Sequence, residues 1–571
     1  MNTTVPSSVS VSSSLNGARR AVDLAHLESD PGIDVLVVGG GVTGTGVALD
    51  AAARGLTTVL VEREDLAFGT SRWSSKLVHG GLRYLAKGQL GIAYESARER
   101  DVLMRVTAPH LVRPLPMVLP VHRHTGLRRA LLSRGGMGLG DLLRRAAGTP
   151  RNVLPSPRTL DARQTLRLLP TVEPRGLVGG VLSFDGQLVD DARLVVTLAR
   201  TAAREGARVI TRCSAENLTR DGATLRDEVT GRLIPVRPRA IVNATGVHAD
   251  ALDPAVRLSP SRGTHLVLDG ASLGGPRAAL TAPVPGSVSR FVFALPQPDG
   301  RVLAGLTDEP LEGPVPRVPN APDEDVDTLL SQFNRVLSTH LTRDDVLGSF
   351  AGLRPLLYGE GESSDLSREH SVAVGANGAV TVVGGKLTTY RAMAEEAVDA
   401  AVAAHRLPAR PCRTRELPLV GAASAEELAA LAAGEGALGT GPGGGAIGGV
   451  PGRGTGGAVG SGGHGVPGAP AADAVLDAPA PDIRGVPAVP AAFVARYGAE
   501  APAVAAEAAE DPSLLEPVVR GITGAELRFG VRHEGAMDVG DLLDRRSRVG
   551  WVPAERDKAE AAAAAALEGH R

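Results

Sequence analysis

Two cysteines in 571 residues, Cys213 and Cys412, leave the chain with almost no sulfur chemistry. They are far apart and in no metal-ligand spacing. That excludes a disulfide scaffold and a zinc site, assigns no metal, and fits a reducing cytoplasm. A surplus of charge is missing too: 61 Lys and Arg stand against 63 Asp and Glu, for a formal net charge of −2. No global basic field marks the chain for nucleic acid. No apolar run reaches the roughly 18 residues that a bilayer span needs. The first thirty residues are rich in Ser, Thr and Val but lack an apolar core of signal-peptide length, and residues 1–30 read as a disordered tail. Any membrane contact is therefore peripheral. What is plentiful is apolar material, 43% of the chain, enough for a large core. The length is too great for one ordinary domain, so two or three are expected.

Ordered sequence starts near Ile33. Ile33 to Val38 is a short apolar run ending in Gly39-Gly40-Gly41, the pattern of a buried parallel strand. A helix from about Gly44 to Arg54 follows, stopped by Gly55, and Thr57 to Val61 forms a second β-branched run. Strand, helix and strand within about thirty residues make the βαβ unit of a doubly wound sheet. Ala207–Thr211 and Ala240–Ala244 read as further strands of that sheet. Residues 288–306 read as an antiparallel hairpin around a Pro-Asp-Gly turn. Ala379–Val383 is a strand leading into a helix on which Leu387, Tyr390, Ala394, Val398 and Val402 recur at helical spacing. A stretch from about 434 to 485, rich in Gly, Pro and Ala, lacks the apolar surface to fold and reads as a flexible insertion. It interrupts a C-terminal helical domain that opens with a helix at about 424–433 and resumes near Ala491.

Four motifs carry chemistry. Gly39-x-Gly41-x-x-Gly44 lies between a strand and a helix, where glycine lets a pyrophosphate approach backbone N–H groups at the helix N-terminus. Glu62, at the end of the second strand, can accept the ribose hydroxyls of an adenosine. Such a motif permits NAD as well as FAD, and a convenient turn is the ordinary alternative. The second motif, Ile241 to Gly246, ends a strand in Ala244-Thr245-Gly246, a pattern that lies near the cofactor in two-dinucleotide-binding flavoproteins and shifts the balance to FAD. The third, Gly384-Gly385-Lys386-Leu387-Thr388, opens a helix whose positive end suits the anionic edge of a reduced flavin. A glycine-capped helix without a ligand is common for so short a pattern. The fourth runs from Ser74 and Ser75 through Lys76 and His79 to Gly80-Gly81-Leu82-Arg83-Tyr84-Leu85. Its two glycines suit close approach to an isoalloxazine ring, and Arg83 and Tyr84 offer an anion partner and a hydroxyl donor.

Taken together, residues 79–85 and 384–391 resemble the paired signatures of FAD-dependent glycerol-3-phosphate dehydrogenases. Asp190-Asp191-Ala192-Arg193-Leu194, Gly263-Thr264-His265, Arg354-Pro355-Leu356, Arg343-Asp344-Asp345 and the stretch from Arg532 to Arg546 resemble further family segments. The resemblance covers about 33–420 and 491–555. It departs from the family in the Gly-rich insertion, in the absence of aromatics from 127–147, and in Val247-His248, where a Pro-Trp pair is common.

The resemblance implies an α/β fold: a discontinuous FAD-binding, doubly wound domain of the Rossmann-like DAO type, an antiparallel-sheet substrate domain, and the C-terminal helical domain. Residues 31–415 form the oxidoreductase, with FAD segments at about 31–80, 180–256 and 346–410 and a substrate cap at about 81–179 and 257–345. Residues 416–571 are the helical domain. The implied reaction oxidises glycerol 3-phosphate to dihydroxyacetone phosphate by hydride transfer to FAD, with electrons passed to a quinone. Arg83, Tyr84, Arg354 and Arg368 are the expected substrate set, since a phosphate in a dry pocket needs guanidinium forks. Arg354 and Lys386 are expected nearest the flavin, where they can stabilise developing negative charge. His265 is the first choice of base and His79 the second. The expected FAD contacts are the glycines of the three turns with Glu62, Ser75, Lys76, Thr245, Lys386, Leu387 and Thr388.

Arg128, Arg129, Arg134, Arg144 and Arg145 among Leu, Met and Ala suggest a basic contact with the inner face of the plasma membrane, with two solvated short helices as the bland reading. A homodimer is compatible with the sequence. Three competing readings are a glycerol-3-phosphate oxidase using oxygen, an amine or amino-acid oxidase on the same scaffold, and a non-catalytic flavin-binding protein.

Overall fold

The computed structural model describes residues 13–29, 32–81, 89–123, 138–220, 222–285, 290–358, 370–433 and 489–568. Two large sheets organise them. In the first, the strands run His370–Val374, Val380–Gly384, Leu233–Asn243, Gly32–Val38, Thr58–Glu62 and Arg208–Thr211, and all but the first are parallel. The order follows from composition. Val35, Leu36 and Val37 are fully buried from both faces, and only the central position of a covered parallel sheet satisfies such a run. Each such side chain contributes about 1.5–3 kcal/mol on burial. The helix Val42–Ala53 covers one face and packs against the helix Tyr390–His405, whose buried stripe is Tyr390, Met393, Ala394, Ala397, Val398 and Ala401.

The second sheet is mostly antiparallel. Its order is Glu309–Pro310, Ser261–Asp269, Arg301–Gly305, Phe291–Pro296, Ala279–Pro283, Val112–His122, Leu177–Leu188 and Leu77–Val78, with Val346–Arg354 on the free side of Ser261–Asp269. The expected hairpin is present as Phe291–Pro296 against Arg301–Gly305. The expected division of the chain shifts, however. Leu77–Val78, Leu177–Leu188 and Val346–Arg354 belong to this second sheet and not to the FAD sheet. A single long strand ending at Leu188 runs straight into the helix Asp191–Arg204 of the first layer, so the sheets are joined by continuous elements and not by linkers.

The C-terminal unit contains the helices Ala425–Ala432, Ala491–Tyr497, Ala501–Ala506, Gly524–His533 and Pro553–Glu568. Ser424 with Glu427 and Thr523 with Glu526 form capping boxes that fix two of these starts. The insertion at 434–485 lies outside the described residues.

The expected N-terminal tail is a correction. Residues 17–29 form the helix Gly17–Ser29, with Leu24 and Leu27 buried. Leu15 donates its N–H to the His533 carbonyl at 3.0 Å, and the Arg20 guanidinium bonds Asp227 at 2.6 Å. Composition alone hid two leucines three residues apart that find a core. No helix among the described residues is long and apolar enough to cross a membrane. Of the basic stretch, Arg128, Arg129 and Arg134 lie outside the described residues. Arg144 is buried, bonded to Asp141 and to the Thr149 carbonyl, and Arg145 pairs with the same Asp141. Arg144 is thus committed to the fold, whereas Arg145 keeps an exposed side chain.

Candidate active site

The first glycine turn is built for close backbone approach. Gly39 has φ +115°, and a Cβ there would stand 2.6 Å from the Ala244 carbonyl oxygen. A Cβ on Gly44 would stand 1.9 Å from the Gly39 oxygen. The strand end Ala244-Thr245-Gly246 thus lies against the turn, as the two motifs together implied. Glu62 lies half-buried beside it and accepts the Gly40 N–H at 2.6 Å and the Glu64 N–H at 2.8 Å. Burial pushes its carboxyl above the usual range, with those two N–H groups opposing. A carboxylate has about four lone-pair sites, so two N–H donors leave capacity for ribose hydroxyls. Ser71 was missed by sequence reasoning: its hydroxyl accepts the Val42 N–H, the first of the helix, at 2.9 Å. Its place beside Thr70 in an irregular Ser-rich stretch was the available signal.

The third motif comes to the same layer. A Cβ on Gly46 of the first helix would meet the Tyr390 ring at 2.9 Å, which joins the two glycine-opened helices. Gly384 and Gly385 have φ +77° and +73°, the left-handed region that glycine alone adopts freely. The Lys386 ammonium donates to the Ser96 hydroxyl at 2.5 Å. The Thr388 hydroxyl is buried without a protein partner, so it is open to a ligand atom. Tyr390 and Arg391 serve the fold: Arg391 forks onto Glu99 at 2.7 and 2.6 Å.

On the antiparallel side, Arg354 ends its strand directly opposite Ser261. Its guanidinium bonds the Ser261 hydroxyl at 3.1 Å, Asp308 at 2.9 Å and the Thr307 carbonyl at 3.1 Å. Gly263 is needed here, because its Cβ would stand 2.4 Å from Arg354 Nη2. His265, four residues along the same strand as Ser261, bonds the Ser75 hydroxyl through Nε2 at 2.8 Å and stacks on Phe350 at 4.9 Å. Burial, aided by Lys76 and Arg354, pushes this imidazole down to about 3. The expected base is therefore neutral, packed and 1% exposed. It anchors the Ser75 segment through that bond. Thr70 ties that segment to the arginine strand, donating to the Leu353 carbonyl at 2.6 Å. The segment from Ser71 at the glycine turn to Ser75 is thus tied to the strands that carry His265 and Arg354.

Several expectations change. Lys76 was expected at the cofactor, but its ammonium is fully buried 3.1 Å from Asp191. Burial pushes it down to about 8 while Asp191 opposes. Gly80 was expected to admit the flavin ring. Its backbone instead lies against Arg100, whose Nη1 would be 2.3 Å from a Cβ, and both Gly80 N–H and Arg100 bond Asp185. Gly81 turns the chain with φ +78°. His79 is half-buried at the exit of the short strand. Arg83, Tyr84 and Arg368 lie outside the described residues, so Arg354 stands as the described member of the arginine set. Asp191 was missed as an organiser: it accepts the N–H and hydroxyl of Ser74 at 2.9 and 2.7 Å.

The donor set fits an adenine-dinucleotide flavin: glycines that a Cβ would fill, a carboxylate at the second strand end and an unpartnered threonine hydroxyl at a second helix start. Comparison with known proteins agrees. Residues 34–391 match the family described as FAD dependent oxidoreductase, and residues 412–570 the C-terminal domain of alpha-glycerophosphate oxidase. The chain is 46% identical to "Glycerol-3-phosphate dehydrogenase 1" of Mycobacterium bovis, over 97% of this chain and 98% of that one. It is 36% identical to "Glycerol-3-phosphate dehydrogenase 2" of the same organism, over 94% of this chain and 84% of that one. The solved glycerol-3-phosphate dehydrogenase from Bacillus halodurans, complexed with FAD, superposes with a TM-score of 0.66 at 25% identity, covering 97% and 96% of the two chains. An FAD-bound L-alpha-glycerophosphate oxidase from Mycoplasma pneumoniae shares the fold, with a TM-score of 0.51 at 20% identity over 68% of this chain and 99% of that one. With two glycine-opened helices in one layer, and 46% identity to such a relative over nearly the whole length of both chains, this chain belongs to the FAD-dependent glycerol-3-phosphate dehydrogenase family.

Proposed function

We propose that the protein oxidises glycerol 3-phosphate to dihydroxyacetone phosphate and passes the electrons to a quinone. The observation that carries the substrate is Arg354, a guanidinium held on a strand end by Ser261, Asp308 and Thr307, one residue past the bond that Thr70 makes to Leu353. A guanidinium held in place by three partners loses little further entropy on meeting an anion, and its planar charge suits a phosphate. FAD, when bound, supplies a two-electron acceptor. The chain's own residues bind and orient the substrate. Ser75 Oγ, fixed by its bond to the neutral imidazole of His265, orients the substrate alcohol by a hydrogen bond. Lys386, held by Ser96, supports negative charge at the second helix start.

Anaerobic addition of glycerol 3-phosphate to purified holoprotein should bleach the flavin absorbance; a flavin that stays oxidised refutes the substrate. Arg354→Ala should raise the concentration for half-bleaching by about tenfold or more with flavin content intact, as expected for a lost charged hydrogen bond. Oxygen is the second reading for the acceptor, favoured by the match of residues 412–570 to the oxidase C-terminal domain. Peroxide formed mole for mole with product selects oxygen. Quinone reduction without peroxide selects the dehydrogenase. On the dehydrogenase reading the enzyme works from the cytoplasm as a peripheral guest of the inner membrane face, and a homodimer is compatible with it. Sedimentation with vesicles and analytical ultracentrifugation test those two placements.

A further inference from the structure

The chain has only two tryptophans, Trp73 and Trp551. They are 478 positions apart in sequence, and both stack on Phe350, at 5.3 and 5.8 Å. The same Phe350 ring carries His265 at 4.9 Å and 15°. Trp551 comes from the C-terminal unit, whereas the other rings belong to the oxidoreductase. Around this column lie three buried cations. Lys76 Nζ sits 4.9 Å above Phe350 and 4.5 Å above Trp551. Arg72 lies 4.3 Å over Trp73. Arg548, also from the C-terminal unit, lies 4.5 Å over Trp551 and 5.6 Å from Trp73. Arg548 donates to the Arg72 carbonyl and stands 3.7 and 3.6 Å from Asp190 and Asp191. Its own backbone is left-handed, φ +62°, an unfavourable conformation for arginine that the surroundings hold in place. The backbones also touch: a Cβ on Gly348, two residues before Phe350, would stand 2.1 Å from the Trp551 carbonyl oxygen.

We propose that Arg548 and Trp551 are positioning residues for the oxidation site. They clamp the Arg72–Lys76 segment from behind and, through the shared Phe350 ring, set the plane of His265 and so the direction of the Ser75 hydroxyl. The C-terminal unit thereby acts on the chemistry from the side of the segment opposite the nucleotide turn. This rests on the reading of Ser75, His265 and Arg354 as the substrate face. Small errors in placing such a group are costly, since a shift of about 1 Å can lose about a hundredfold in rate.

The test uses full-length, FAD-loaded protein. Trp551→Ala should keep its flavin, lower kcat about tenfold and leave KM for glycerol 3-phosphate within about twofold; Trp551→Phe, which keeps a ring on Phe350, should recover most of kcat. Arg548→Lys should fall between, because ammonium cannot reproduce the fork. A second readout is independent of substrate: the absorbance maximum and midpoint potential of the bound flavin, taken by dithionite titration, should move in Trp551→Ala and return in Trp551→Phe. Should wild-type flavin not respond to glycerol 3-phosphate, the functional reading fails while this readout still decides the clamp. Unchanged flavin properties and turnover in a folded Trp551→Ala would overturn the proposal, as would a turnover loss matched wholly by lost flavin. A Trp551→Ala chain that does not fold transfers the decision to Arg548→Lys, where wild-type turnover and flavin properties would overturn it.

Discussion

The nucleotide turn and the junction with the C-terminal helices hold the molecule together by opposite means. At the turn the decisive contacts are close backbone approaches, of Gly44 to Gly39 and of Gly39 to the Ala244 strand end, where what matters is the side chain that glycine lacks. At the junction the contacts are long ionic side chains from opposite ends of the chain. Asp65, fully buried, receives Arg545 at 2.6 Å and Arg546 at 2.8 and 2.9 Å. Arg193 pairs with Glu534, and Arg200 forks onto Glu500 at 2.6 and 2.8 Å. The glycines of the turn leave no room for an added atom. The junction depends above all on its charges, because each ion there has left water for a single set of partners.

The largest effect should come from adding one methyl group at the turn. In Gly44→Ala the new Cβ would lie 1.9 Å from the Gly39 oxygen, so either the helix start or the strand end must move. The expected result is protein purified without flavin, read as the ratio of flavin to protein absorbance. Stoichiometric flavin in the variant would show that the turn is not the clamp. Next comes removal of a charge at the junction. Asp65→Asn leaves Arg545 and Arg546 buried without their shared carboxylate, and breaking a buried pair in this way costs about 3–5 kcal/mol. A denaturant midpoint close to wild type would mean that the junction opens to water.

The same contrast decides what could be read from sequence. The glycine turn, the acidic strand end and the helix stripe after Lys386 were legible, because backbone sterics and helical period act over short spans. Parallel and antiparallel runs were legible for the same reason. The sheet to which Val346–Arg354 belongs was not, since register against Ser261–Asp269 is a long-range matter. Lys76 and Gly80 were assigned to the cofactor by motif, and the protein groups they meet, Asp191 and Arg100, lie about 115 and 20 positions away. His265 was found, but its Ser75 bond and its depressed basicity depend on Phe350 and Lys76 folding around it. The helix Gly17–Ser29 was lost to composition, because only tertiary contact reveals which of its residues are buried.

A smaller effect compares the two regions by pH. His265 sits in the site and His110 at the junction, where a Cβ on Gly421 would lie 3.2 Å from its Nε2. Burial, aided by Arg193, pushes His110 down to about 3, as burial does for His265. Both imidazoles stay neutral in the fold but gain a proton in the unfolded chain below about 6.5. Their contribution is complete above that pH and is lost as pH falls toward 3. Each should add about 1.4 kcal/mol per pH unit to the slope of stability across the middle of that window. The free energy of unfolding of His110→Gln, measured at several pH values between 6 and 4, should show a slope shallower by about that amount. An unchanged slope would mean that the His110 ring already reaches water.

The smallest effect belongs to a cluster that looks like the junction on paper. Arg343 reaches Asp327 at 2.8 and 2.7 Å and Asp323 at 3.1 Å, an arginine with two carboxylates much like Arg545 with Asp65 and Asp541. The difference is water. The side chains of Arg343, Asp327 and Asp323 are 48%, 60% and 76% exposed, so solvent and salt screen the attraction and the ions lose little on separation. Arg343→Gln should therefore leave the melting temperature unchanged within error, and added salt should not separate variant from wild type. A loss comparable to that of Asp65→Asn would show that burial is not what separates the two clusters. The strength of the junction would then have to come from arginine geometry alone.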